Sequence, residues 1–387
     1  MTAAVAAFAL AACSAEGAPS ASSSSPSSSS SSTPSPSAPA TPTPTASAPA
    51  PTAAPVTGPL VPSGDPEPLV GDLAAPWSIA QFDDGSMFIS ERDSGRILEI
   101  VGDQVVPAFT VPDVSAAGEG GLLGIAARDA SADDSATYLY AYFTSGGDNR
   151  VVRMPMGGTP GARSFGAVEP VLAGIPKASN HNGGRIAFGP DGMLYVTAGD
   201  ASTTSNAQTL SSLGGKILRV TPTGAVPADN PFAGSPVWSL GHRNPQGIAW
   251  AADGTMWAAE FGQNTWDEIN VITPGANYGW PAAEGAGSDP AFVNPVQQWS
   301  TDDASPSGIT IVGDTVFMAG LGGERLFTIG ADGAYAEWYG GGQLGRIRDV
   351  VAGPGSTLYL ITNNTDGRGE PRAGDDRLYR VNLVPAG

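Results

Sequence analysis

Asp191-Gly192-Met193-Leu194-Tyr195-Val196 reads as a tight turn that delivers the chain into a short strand with an aromatic at its centre. Glycine supplies the positive φ that such turns require, and the residues after it favour a pleated surface. The same shape returns at Asp84-Gly-Ser-Met-Phe-Ile89, Ala136-Thr-Tyr-Leu-Tyr-Ala141, Asp253-Gly-Thr-Met-Trp-Ala258, Gly313-Asp-Thr-Val-Phe-Met318 and Gly355-Ser-Thr-Leu-Tyr-Leu360. With the aromatic as marker, the six copies stand at 88, 140, 195, 257, 317 and 359, spaced by 52, 55, 62, 60 and 42 residues. Each interval holds several short strands, such as Lys216–Val220, and none carries a sustained 3.6-residue apolar period. Strand-built repeats of about 40–60 residues predict an all-β fold, a six-bladed β-propeller over 65–385. A single blade cannot bury both its faces; a closed ring of blades does. A β-sandwich is the competing architecture, and the regular spacing argues against it.

Outside the repeats, 14–62 is nearly all Ser, Pro, Thr and Ala. Such a segment buries too little apolar surface to offset its ordering entropy, so a disordered N-terminal tether is expected there. The apolar stretch before it is too short to span a bilayer as a helix. It resembles the core of an export signal, and Leu10-Ala-Ala-Cys13 resembles a bacterial lipoprotein processing site, although no Lys or Arg precedes the apolar run. Residues 1–13 are thus expected to direct export and to leave a lipid anchor on Cys13 at the outer face of the cell membrane. Cys13 is the only cysteine of the 387 residues, so no internal disulfide can form. The formal net charge of −19 repels phosphates and excludes nucleic acid as a natural partner, while the acidic surplus offers oxygen ligands to calcium.

The chain has two histidines, both in compact Gly-rich polar motifs: His181-Asn-Gly-Gly-Arg185 and Gly241-His242-Arg-Asn-Pro-Gln-Gly247. Histidine is the side chain suited to proton transfer near neutrality, so both motifs mark places where chemistry could occur. Gly118-Glu119-Gly-Gly-Leu-Leu-Gly124 and Gly345-Arg346-Ile-Arg348-Asp349 are two more polar motifs in other repeats, and a ring would gather all four at its channel. Arg346 and Arg348 alternate on an expected strand and so share a face. With Arg243 they predict an anionic ligand, since the guanidinium fork suits carboxylates. Glu260 to Asn270 and Asn277-Tyr-Gly-Trp-Pro281 offer carboxylates and carbonyls of the kind calcium takes. No Gly-x-Ser-x-Gly elbow and no Cys/His zinc set occurs.

Taken with Leu73-Ala-Ala-Pro-Trp77 and Asp267-Glu-Ile-Asn270, these motifs resemble, in order, those of the soluble quinoprotein sugar dehydrogenases, the glucose/aldose/sorbosone dehydrogenase family. The resemblance covers roughly residues 65 to 385. It implies a six-bladed propeller that holds pyrroloquinoline quinone (PQQ) beside calcium and oxidises the anomeric hydroxyl of aldose sugars to lactones. His181 is then the general base and Arg243 polarises the accepting carbonyl. Glu119, Arg243, Asn244, Gln246, Arg346 and Arg348 surround the cofactor. The carbonyls of Gly262 and Gln263 face its calcium, and Glu268 with the Tyr278 carbonyl matches a second, structural calcium site. A small sugar is the implied substrate; the electron acceptor is unspecified. The pattern departs at Glu119, where the family often has Gln and where a carboxylate would repel an anionic cofactor. It also departs at Leu321-Gly-Gly-Glu-Arg325, which lacks the family's cofactor-binding Lys and leaves Arg325 as the compensating cation. A surface-tethered binding propeller that has lost the quinone, and a calcium-dependent lactonase on a similar ring, are the alternative readings.

Overall fold

A computed structural model describes residues 58–131 and 134–387; the expected signal segment, Cys13 and the expected tether up to residue 57 lie outside the described residues. Six antiparallel sheets follow one another along the chain. Blade one runs from Pro76–Gln81 through Met87–Glu91 and Arg96–Val101 to Gln104–Thr110. Blade two pairs Leu122–Arg128, Thr137–Thr144, Asn149–Thr159 and Glu169–Ile175, with Ala162–Phe165 folded back on its third strand. Blade three spans Ile186–Phe188 to Val237–Leu240, blade four Pro245–Trp250 to Gln297–Ser300, and blade five Pro306–Val312 to Tyr335–Trp338. The innermost strands contact one another in cyclic order, and that of blade six, Ile347–Gly353, meets that of blade one, so the ring closes.

Closure is also covalently economical. The outermost strand of blade six is Leu60–Val70, which pairs with the C-terminal strand Leu378–Pro385 from Leu60↔Pro385 onward. This corrects the expected boundaries. Leu60 to Pro62 belong to the propeller rather than to the tether, and the domain begins before residue 65. The physical reason is Leu60, which is 1% exposed and packs with Phe317, Leu326 and Leu358.

The repeated aromatic has a structural purpose. Phe88, Tyr140, Tyr195, Trp257, Phe317 and Tyr359 all lie on the second strand of their blade. The core is six clusters, each lying mainly between two adjacent blades, and each marker packs in the cluster shared with the following blade. Phe88, for example, packs with Leu122, Leu139 and Phe143 of blade two, and Tyr359 packs with Ile79 and Ile89 of blade one. One large ring per blade thus fills each wedge, and fully burying such a side chain contributes about 1.5–3 kcal/mol.

Candidate active site

At one end of the channel lies a cavity of about 310 Å³. Most of the residues that line it stand just before or early in a blade's first strand, or just after its second. Of the residues expected at the site, Glu119, His181, Arg243, Asn244, Gln246, Gly262, Arg346 and Arg348 all line this cavity. Bulges aim several of them. The register of the innermost strands skips Trp77 in blade one, Gln246 in blade four and Arg348 in blade six, and all three line the cavity. An unpaired bulge residue turns away from the alternation of its strand, which is how a ring of flat sheets can converge side chains on an axis. Arg346 stands just before the strand that carries Arg348 rather than on it, yet both reach the same space.

His181 is buried, with a left-handed backbone at φ 57°. Its N–H donates to Glu119 Oε2 at 2.9 Å, and its carbonyl accepts from the Ala201 N–H at 3.1 Å. The chain then turns at Gly183 (φ 64°), where a Cβ would sit 2.6 Å from the Thr197 carbonyl oxygen, so glycine is required. The ring Nδ1 lies 2.8 Å from Asp200 Oδ1, and Asp200 also accepts from Ser202 N (2.8 Å) and Trp280 Nε1 (2.8 Å). Burial alone would raise the Asp200 carboxyl, but the His181 and Trp280 bonds outweigh it and hold it below the usual carboxylate range. An ionised carboxylate only accepts, so Nδ1 carries the proton and Nε2 is left as the free position of the ring.

The rest of the lining is strongly basic. Arg243 donates to Gln263 Oε1 (2.9 Å) and the Phe261 carbonyl (3.2 Å), and among the described residues no carboxylate pairs with it. Burial pulls it below its usual value. Arg348 donates to Gln246 Oε1 at 2.9 Å; burial pushes it down to about 9 against the pull of Asp366, so it stays cationic at neutral pH. Arg346 reaches Asp366 at 3.3 Å, and its Nε is buried without a partner. Two further guanidiniums that the sequence reading did not single out, Arg92 and Arg368, complete the set.

Several expectations are corrected here. His242 does not reach the cavity. It is fully buried, its Nδ1 bound to Glu260 (2.7 Å) and its Nε2 to Ser239 Oγ (2.8 Å), with the ring stacked on Tyr278 at 4.8 Å. Both ring nitrogens are occupied, so its role is to brace the loop that carries Arg243, whose N–H also meets Glu260. Arg325 does not compensate for the absent Lys, because it is spent on Glu337 (2.6 Å) and the Gly323 carbonyl. Glu119 is not a bare charge facing the cavity: Arg368 stands 3.0 Å from its Oε1. Asp200 and Arg92 had a signal that went unread. Both fall three to five residues past a repeat aromatic, where Glu260 and Asn363 also stand.

The residues expected around calcium divide into two places. Gly262 lines the main cavity, and neither its carbonyl nor that of Gln263 accepts a hydrogen bond among the described residues. Glu268 and Tyr278 line a smaller void of about 10 Å³ together with Glu260 and Glu284, on the other side of Arg243 and Gly262, which line both; its volume is close to what one water or ion needs. Burial and then the Glu260 charge push the Glu268 carboxyl upward. Among the described residues no three acidic, His or Cys side chains stand close enough to hold a metal ion by themselves, so a cation at either place would also draw on backbone oxygens.

A closed six-bladed ring with a buried His–Asp pair and a guanidinium-lined cavity at its channel mouth defines the class: a propeller that gathers a paired imidazole and five guanidiniums around one cavity. The chain belongs to the glucose/sorbosone dehydrogenase family, whose model matches residues 73–380. It is similar to the PQQ-bound aldose sugar dehydrogenase structure from Streptomyces coelicolor, with 45% identity over 85% of this chain and 99% of that one and a TM-score of 0.78. It is also similar to the aldose sugar dehydrogenase of Escherichia coli, at 30% identity over 78% of this chain and 90% of that protein. Quinoprotein glucose dehydrogenase B of Acinetobacter calcoaceticus is 30% identical over 59% of this chain and 55% of that protein.

Proposed function

We propose that this protein is a quinoprotein oxidoreductase that oxidises the anomeric hydroxyl of aldoses to lactones, with hydride transfer to PQQ held beside calcium. The observation that carries the reading is His181, whose Nδ1 is committed to Asp200 while the ring faces a cavity lined by five guanidiniums. The donor set fits a planar polycarboxylate. Arg346 Nε is an orphaned buried donor, Arg243 lacks a carboxylate partner, and Asn244 and Gln246 add amides. The partnerless carbonyls of Gly262 and Gln263 fit a calcium ion beside it.

When bound, the quinone supplies the two-electron acceptor for the sugar's hydride. The protein's own work is to place and to deprotonate. His181 Nε2 takes the proton of the anomeric hydroxyl, and Asp200 stabilises the imidazolium that results. Arg243 fixes positive charge where negative charge develops, in a site already oriented by Gln263 and the Phe261 carbonyl. Asn244 is placed by the Gly183 N–H, which its Oδ1 accepts at 3.0 Å. Glu268 and Tyr278 hold the second calcium of this reading. Export and a lipid anchor on Cys13 belong to the same proposal and would put the sugar site outside the cell membrane.

The test is a titration of the purified protein with PQQ and calcium, followed by dye reduction with a panel of aldoses. Quinone binding with sugar-dependent reduction that vanishes in His181→Ala is the expected result. Absence of quinone binding at micromolar concentration with calcium present would overturn the reading and favour a non-catalytic binding propeller.

A further inference from the structure

We propose that Arg368 is the rim cation of this cavity and, while still neutralising Glu119, turns its remaining N–H donors to a carboxylate of the anionic cofactor. The inference rests on the quinone reading above and adds a residue to it.

The two oxygens of Glu119 are held differently. Oε2 accepts the His181 N–H at 2.9 Å, and Oε1 faces Arg368 Nη2 at 3.0 Å. The first bond is to backbone that cannot swing away; the second is to a side chain that is 52% exposed. Glu119 is therefore anchored and Arg368 is the movable member. Beyond this ion pair nothing holds the Arg368 guanidinium among the described residues, so most of its N–H donors are free to bind a ligand. An ion pair this exposed contributes at most about 1 kcal/mol, so little opposes a turn of the guanidinium toward a ligand carboxylate that keeps Glu119 within reach.

Three of the other four cavity guanidiniums already face a carboxylate, Arg243 being the exception. Arg92 is bound through two nitrogens to Asp93 (2.7 and 3.1 Å), and Arg346 and Arg348 flank Asp366. The segment that delivers Arg368 is well fixed. Asp366 Oδ1 accepts the Arg368 N–H at 2.9 Å, and buried Asp376 accepts from the Thr365 N–H and hydroxyl. Arg368 thus has a rigid base and a free end at the rim.

The experiment compares PQQ affinity of the full protein with that of Arg368→Gln and Arg368→Lys, by absorbance titration with calcium present and over a range of salt. Arg368→Gln is expected to weaken binding about tenfold, the loss of one charge-assisted hydrogen bond, and to flatten the salt dependence; Arg368→Lys is expected to recover part of both. Thermal unfolding checks that each variant folds, as a half-exposed side chain allows. Binding and salt dependence unchanged within twofold in Arg368→Gln would overturn the inference and leave the quinone reading standing. Failure of the unmodified protein to bind would overturn the quinone reading and this inference with it.

Discussion

Arg185 Nη1 and Asp349 Oδ2 meet 2.8 Å apart beneath the cavity, joining blades three and six across 164 residues of chain. The same guanidinium donates to Ser78 of blade one and to the Gln246 carbonyl of blade four, and lies 4.4 Å over the Trp77 ring. Asp349 in turn accepts the Ile79 N–H. Four blades are thus tied at one buried point, and that point is the floor on which the cavity residues stand. Removing one member of a buried pair leaves an uncompensated charge, so Arg185→Met is expected to destabilise the protein by about 3–5 kcal/mol. Burial already raises the Asp349 carboxyl, and losing Arg185 raises it further. A raised folded-state value means stability that is present in acid and lost as pH rises. The penalty of Arg185→Met, measured by denaturant unfolding, should therefore be smaller at pH 4 than at pH 8.

Asp200 decides which nitrogen of His181 is available. In Asp200→Asn the amide can donate to Nδ1, and the ring proton then moves to Nε2, where a base is needed. Turnover with aldoses is expected to fall on the order of 10²–10⁴-fold, with PQQ affinity nearly unchanged because Asp200 does not line the cavity. An equal loss of affinity would instead mean that the substitution disturbs the site as a whole.

The ring was legible in the sequence because one aromatic per blade must fill one wedge, and that demand recurs at 88, 140, 195, 257, 317 and 359. The closing strand was not legible. Leu60–Val70 contains Pro62, Gly64, Pro66 and Pro68, so its local composition reads as tether, and only its partner Leu378–Pro385 makes it a strand. Site residues carried by Gly-rich motifs were readable: His181, Arg243 and Arg348 all reach the cavity. His242 sits in an equally suggestive motif, and only the positions of Glu260 and Ser239 show that both its nitrogens are used internally. Arg368 is separated from Glu119 by most of the chain and pairs with it only after the ring closes.

Glu268 gives a pH test for the proposed second calcium. Burial and the Glu260 charge raise its carboxyl above the ordinary value of 4.5. By linkage, the cation-free protein is most stable with Glu268 protonated and loses that contribution as pH rises above 4.5. Calcium replaces the proton and should restore the loss. The expected result is a melting temperature that falls from pH 5 to pH 8 in chelator and rises again with calcium, a difference absent in Glu268→Gln.

Glu284 governs the other proposed cation contact without touching it. Its Oε1 accepts four consecutive N–H groups, from Gln263 (2.6 Å), Asn264 (3.1 Å), Thr265 (3.0 Å) and Trp266 (3.2 Å). Asp267 Oδ1 takes the preceding one, from Gly262, at 2.9 Å. With every amide of this turn drawn toward a carboxylate, the carbonyls of Gly262 and Gln263 are left without protein partners. Burial alone would raise Glu284, yet these amides outweigh it and hold the carboxyl below its ordinary range. Its contribution is therefore present at neutral pH and lost as pH falls. Glu284→Ala leaves four donors to water and frees the turn, and should weaken calcium binding about tenfold, the equivalent of roughly 1.4 kcal/mol. Hydrogen exchange at residues 263–266 should quicken in the same variant, while exchange in the blade cores stays as it was. Slow exchange at these amides in Glu284→Ala would show that the turn is rigid without its carboxylate, and the link between Glu284 and the two carbonyls would be lost.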